Sequence, residues 1–158
     1  MKRMTDMLAV LVLLTLSNTL WASGGERKGR APPDPAYVQE CGSCHVPYPA
    51  RLLSAASWQS LLVGLDQHFG TDAAIDDSSV AAAVSRYLLE HAARKETLDE
   101  QGRPFLRITG TRGFRHEHDE LPAWMWTSSS VKSPANCGAC HTTADQGLFS
   151  EHAIHLPR

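Results

Sequence analysis

Cys41-Gly42-Ser43-Cys44-His45 and Cys137-Gly138-Ala139-Cys140-His141 are the two stretches on which the reading of this 158-residue chain turns, and together they use all four of its cysteines. Cys-x-x-Cys-His is the pattern of covalent c-type haem attachment. Two thiols at this spacing each form a thioether to one vinyl group on the same porphyrin edge. The histidine that follows is carried beneath the ring, with an imidazole nitrogen aimed at the iron. The two motifs predict two covalently bound haem c groups, with Cys41, Cys44, Cys137 and Cys140 as attachment points and His45 and His141 as ligands to iron.

Other uses of four cysteines explain less. Two structural disulfides would suit an exported protein, but they give no reason for a histidine directly after each pair. A four-cysteine zinc site places its two Cys-x-x-Cys pairs about 15–20 residues apart, whereas most of this chain lies between them. A thioredoxin-like redox pair needs a βαβ setting, and no strand alternation is visible.

The N-terminus sets the compartment. Lys2 and Arg3 precede an apolar run from Leu8 to Leu20, and Trp21-Ala22-Ser23 follows with small residues. This is the order of a secretory signal peptide, read here as residues 1–22. The run is short for a span, which needs roughly 20 apolar residues, and Thr15, Ser17 and Asn18 dilute it. The expected location is the periplasm, with no membrane span after cleavage. Removing residues 1–22 leaves 136 residues and moves the formal charge from −2 to −3. A mildly acidic surface argues against nucleic acid as a partner.

Residues 23–35 lack apolar periodicity and read as a flexible leader, followed by an N-terminal haem lobe over 36–100 and a C-terminal one over 101–158. Trp58, Leu61, Leu62, Leu65, His68 and Phe69 share one helical face, predicting a helix over 54–69 with Gly70 as its stop. Val80, Val84, Tyr87, Leu88 and His91 predict a second over 78–94, capped by Asp76, Asp77 or Ser78. Residues 95–136 read as loop with short helical turns, and a further short helix ending at Gly147 is expected after His141. The expected fold class is all-α, helical and rich in loops.

The ligand opposite each His decides function, because a second protein ligand closes the iron to substrate while an open position permits oxygen or nitric oxide chemistry. His68, on the apolar stripe beside Phe69, is the strongest candidate. His91 falls at a helix end, where a capping role fits better. His116 and His118 flank Glu117, and the local pattern does not separate them. His152 and His155 read as surface residues, and Met125 is the one methionine left after cleavage. Trp124-Met125-Trp126 reads equally well as porphyrin packing or as a core patch.

Four segments carry a resemblance. Glu40 to His45, Trp58 through His68-Phe69-Gly70, Arg107-Ile108-Thr109 and Lys132-Ser133-Pro134-Ala135-Asn136-Cys137 resemble the bacterial dihaem cytochrome c (DHC-type) family across nearly the whole mature chain. The resemblance implies a small periplasmic electron carrier with two histidines on each iron. By position it makes His68 the first distal ligand, and His118, four residues after Phe114, the second. Gly113 stands where the family usually has Trp, which leaves His116 as the alternative. The simplest pairing is local, His45 with His68 and His118 with His141, against a crossed arrangement. The partners implied are redox proteins, a membrane cytochrome b or a small oxygen-binding haem protein. The rival reading is a dihaem enzyme, a peroxidase or reductase with one open iron, for which Glu117 and His116 would supply acid–base groups.

Overall fold

The computed structural model describes residues 33–96 and 98–157. The signal peptide read over 1–22 and most of the leader, 23–32, lie outside the described residues. Asp34 and Pro35, read as the end of that leader, instead begin a helix. The Asp34 carboxylate accepts hydrogen bonds from the Ala36 and Tyr37 amides, and Pro35 takes the first position of α1 (Pro35–Gly42). Proline fits there because its missing N–H would have no partner in any case.

The expected helix over 54–69 stops early. α2 is Ala55–Val63, with the Ser54 hydroxyl accepting from the Ser57 amide. Gly64 then ends it, and Leu65–Gln67 form a separate 3₁₀ turn that delivers His68. Glycine inside a helix costs about 1 kcal/mol relative to alanine, so the break falls at Gly64 and not at Gly70. α3 (Ser78–Glu90) is capped by Asp77 and ends before 94, at His91, whose Nδ1 lies 2.9 Å from the Tyr87 carbonyl. Capping is the role read for that residue.

Residues 98–136 hold short turns, as expected, and one further helix, α4 (Arg112–Glu117), capped by Thr111. After His141 the expected short helix is a 3₁₀ turn, Ala144–Gln146, closed by Gly147 at φ 71°. Glycine suits that left-handed position because it has no Cβ to clash. Among the described residues there are four α-helices and only isolated bridges in place of strands, an all-α fold.

α1 and α2 both pack on α3. Their shared core is Tyr37, Leu53, Trp58, Leu61, Val84 and Leu88, with Ala50 beside them. Two polar ends are satisfied inside it. The Trp58 indole N–H donates to the Ala50 carbonyl at 2.7 Å, and the Tyr37 hydroxyl donates to the Tyr48 carbonyl. Beyond residue 98 the described buried apolar residues are only Met125, Val131 and Ala144. The apolar core therefore sits almost wholly in the first half of the unit Pro32–Arg158.

Leu88 is 2% exposed and Val63 is 88% exposed. Leu88→Ala is expected to cost about 2–5 kcal/mol, the range for deleting a buried leucine side chain. Val63→Ala is expected to stay within about 0.5 kcal/mol of the parent. Thermal unfolding of the two variants, followed by circular dichroism, checks both.

Candidate haem sites

Both Cys-x-x-Cys-His segments sit on tightly wound backbone. The first closes α1, with Cys41 in its last turn and Ser43 as its cap. The second is a 3₁₀ turn over Cys137–Ala139, continued by a bond from the His141 amide to the Cys137 carbonyl at 2.8 Å. In the first motif both cysteines and His45 line one cavity. None of the four cysteines is in a disulfide. Burial, then nearby Glu40 and Cys44, pushes the Cys41 thiol up to about 11, and burial raises Cys137 and Cys140 as well. Among the described residues no cluster of three or more His, Cys, Asp and Glu side chains is arranged to hold a metal ion.

The fold brings His45 and His68 together. Their ring centres are 6.4 Å apart, with the planes inclined by 26°. His45 Nδ1 lies 2.7 Å from the Val46 carbonyl, which fixes Nδ1 as the protonated nitrogen and leaves Nε2 as the free donor. Tyr48 stacks on the His45 ring at 4.5 Å. His68 Nδ1 is buried without a hydrogen-bond partner. The next residue, Phe69, adopts φ 51°, a left-handed conformation that is rare for a bulky side chain. The Arg107 guanidinium lies over the Phe69 ring at 3.8 Å. Burial, followed by His45 and Arg107, lowers the His68 pKa and favours the neutral imidazole that a metal requires.

A cavity of about 520 Å³ opens between these two rings, lined by Cys41, Cys44, Trp58 and Leu65 among others. That volume falls within the range of cofactor sites.

His118 and His141 form a second pair, at 6.1 Å between ring centres and 71° between planes. The Thr111 cap starts α4, and the helix ends at His118, whose Nδ1 lies 2.7 Å from the Phe114 carbonyl. Phe114 stacks on His118 at 4.2 Å, and Trp126 packs beside it at 5.7 Å. Phe149 lies 5.3 Å from His141, and burial followed by His118 lowers the His141 pKa. The aromatic cluster divides: Trp126 faces His118, Met125 is buried, and Trp124 is 64% exposed. His116 is exposed and lies 3.9 Å from Asp119. His91, His152 and His155 are also exposed.

The haem groups implied by the two motifs fit this arrangement. A metal bonded to two facing imidazoles at about 2 Å, with roughly 1.2 Å more from nitrogen to ring centre, sets the centres roughly 6 Å apart. Both pairs stand at that separation, and one histidine of each belongs to an attachment motif. The composition of the sequence did not point to Tyr48 and Phe149; the one available signal was the tyrosine held between Pro47 and Pro49 directly after the first motif.

Comparison with known proteins identifies the family. The family model for dihaem cytochrome c matches residues 37–149. The solved diheme cytochrome type c from Shewanella baltica OS155 is 36% identical, covering 80% of this chain and 94% of that one, with a TM-score of 0.67. The diheme cytochrome c from Rhodobacter sphaeroides is 38% identical over 73% of this chain and 96% of that one, with a TM-score of 0.64. No curated protein matches the chain. A family match spanning both attachment segments and the matched backbones of two solved diheme cytochromes lead to one assignment: the chain belongs to the dihaem cytochrome c family, and it carries two covalently bound haem c groups.

Proposed function

We propose that this haem-based electron carrier holds each iron between two histidines, His45 with His68 and His118 with His141, and works in the periplasm as a shuttle between redox proteins. The observation that carries the reading is the spacing of the two imidazole pairs, 6.4 and 6.1 Å between ring centres. When bound, each haem supplies an iron that takes up or releases one electron. The residues do the rest. His45 and His118 are oriented by backbone carbonyls, so their donor nitrogens are held in place. With haem bound, His68 and His141 would complete the pairs and would leave no position on either iron for a substrate. Two imidazoles hold the potential below that of a His/Met pair.

Periplasmic location follows from the signal peptide read over 1–22 and from haem attachment outside the cytoplasmic membrane. Among the described residues no helix is long and apolar enough to cross a membrane. A membrane cytochrome b or a small oxygen-binding haem protein is the proposed kind of partner, docking transiently as weak redox encounters do.

The angles between ring planes give a direct test. With iron between them, nearly parallel imidazoles split the two π-symmetry iron orbitals and give a rhombic low-spin signal. Nearly perpendicular ones leave those orbitals close in energy and give a signal of large g-anisotropy. Electron paramagnetic resonance of the oxidised protein is expected to show one of each, rhombic from His45/His68 at 26° and strongly anisotropic from His118/His141 at 71°. A high-spin ferric signal of one iron per chain would contradict the four-histidine assignment.

Removing single ligands tests the assignment residue by residue. Reduced wild-type protein is expected to show no spectral change under carbon monoxide. His68→Ala and His118→Ala are each expected to bind one carbon monoxide per chain, and His116→Ala none. A His118→Ala protein that stays low-spin at both irons would remove His118 from the ligand set.

A further inference from the structure

Tyr48 makes contacts on both sides that the electron-carrier reading does not use. Its ring lies almost flat on His45, with 4.5 Å between centres and 16° between planes. Its hydroxyl donates to the Ala135 carbonyl at 2.8 Å, across 87 residues of sequence and two residues ahead of Cys137. The Tyr48 backbone is itself held, because its carbonyl accepts from the buried Tyr37 hydroxyl. Pro47 and Pro49, both buried, fix the chain on either side. One side chain therefore joins the axial histidine of the first site to the attachment loop of the second.

The two sites are also contiguous around this residue. Cys137, an attachment point of the second haem, lines the first cavity together with Phe114, the residue stacked on His118. A second space of about 290 Å³ runs between Cys44, His45 and Tyr48 on one wall and Ser133, Asn136 and Cys137 on the other. The Asn136 side chain donates to the Val131 carbonyl at 3.0 Å, so the loop is fixed at its far end too.

We propose that Tyr48 is a positioning residue that ties the attachment loop of the second haem to the axial histidine of the first, and so sets how fast an electron passes between them. The inference rests on the electron-carrier reading above. One electron moves from ferrous to ferric iron and no proton or bond changes hands. Tyr48 is not oxidised; it fixes separation and orientation. Electronic coupling falls steeply with distance, so a loosened loop slows the exchange even when both irons keep their ligands.

Tyr48→Phe keeps the stacked ring and deletes only the bond to Ala135, while Tyr48→Leu removes both contacts. Each is prepared with both haems attached, verified at two haems per chain by the pyridine haemochrome. After substoichiometric flash reduction and freeze-quenching, the two ferric resonance signals are counted separately as the electron redistributes. The rate is expected to fall several-fold in Tyr48→Phe and further in Tyr48→Leu, with both irons still low-spin. Wild-type rates in both variants, alongside a lower melting temperature, would overturn the proposal and leave Tyr48 a purely structural residue. The unaltered protein gives a second measurement that depends on no variant. In half-reduced samples, each haem's resonance width is expected to depend on the oxidation state of the other. Two magnetically independent signals would equally overturn the close coupling. The spin state of the wild-type irons checks the ligand reading separately, so its failure would show there and not in the exchange rate.

Discussion

Two imidazoles that share one metal must face each other across a gap of roughly 6 Å, and neither can be held in place by touching the other. Their positions have to come from the backbone behind them. In the first pair that backbone is the end of α1 on one side and a 3₁₀ turn after α2 on the other. Both elements are fixed because α1 and α2 pack on α3 through Tyr37, Trp58, Leu61, Val84 and Leu88. In the second pair the end of α4 faces a turn at Cys137–Ala139, and the C-terminal segment folds back to brace it. The Thr142 amide bonds the Ala153 carbonyl, and the His155 amide bonds the Cys140 carbonyl. The helices are short because each needs only to place one side chain and end.

That constraint also explains the uneven core. A small chain buries too little apolar surface to be comfortable on its own, and here the second half contributes only Met125, Val131 and Ala144 among described residues. Its order comes from capped turns and bonds such as those of Thr111 and Asn136. The aromatic rings of Phe114, Trp126 and Phe149 gather around the second histidine pair and not around a protein core. Covalent attachment of an apolar macrocycle supplies the bulk that the sequence there does not provide.

The cofactor and the all-α class were legible because they rest on fixed local patterns: Cys-x-x-Cys-His twice, and two amphipathic stripes. Element ends were less so. The stripe from Trp58 to Phe69 runs straight through Gly64, and only the competition between helix propensity and tertiary position decides that α2 stops there. α1 was missed because its signals, Asp34 and Pro35, stood at the end of a polar stretch that reads as linker. His116 and His118 could not be separated by local pattern. The difference lies in where α4 ends: His118 is the cap, with its ring on Phe114, while His116 points to Asp119 in solvent. Tyr48 gave almost no signal, since its partner at Ala135 is 87 residues away.

Repetition of the motif does not make the two sites alike. In each pair one imidazole is anchored through Nδ1 to a backbone carbonyl, and the other has a buried Nδ1 with no partner. At the first site the anchored ring is His45, which belongs to the attachment motif. At the second it is His118, on the opposite side, while the motif's His141 is unanchored. An Nδ1 hydrogen bond fixes ring orientation and raises the basicity of the donor nitrogen. The stronger donor is therefore on the motif side at one site and on the distal side at the other. The ring planes differ as well, 26° in the first pair and 71° in the second, and Arg107 stands beside His68 alone. Ligand planes, anchoring and neighbouring charge each act on the potential of an iron, and none of the three is matched between the sites. Under the ligation proposed above, a carrier built this way would hold two inequivalent positions for an electron, and the exchange whose geometry Tyr48 is proposed to set would have a preferred direction given by the chain and not by the cofactors, which are the same.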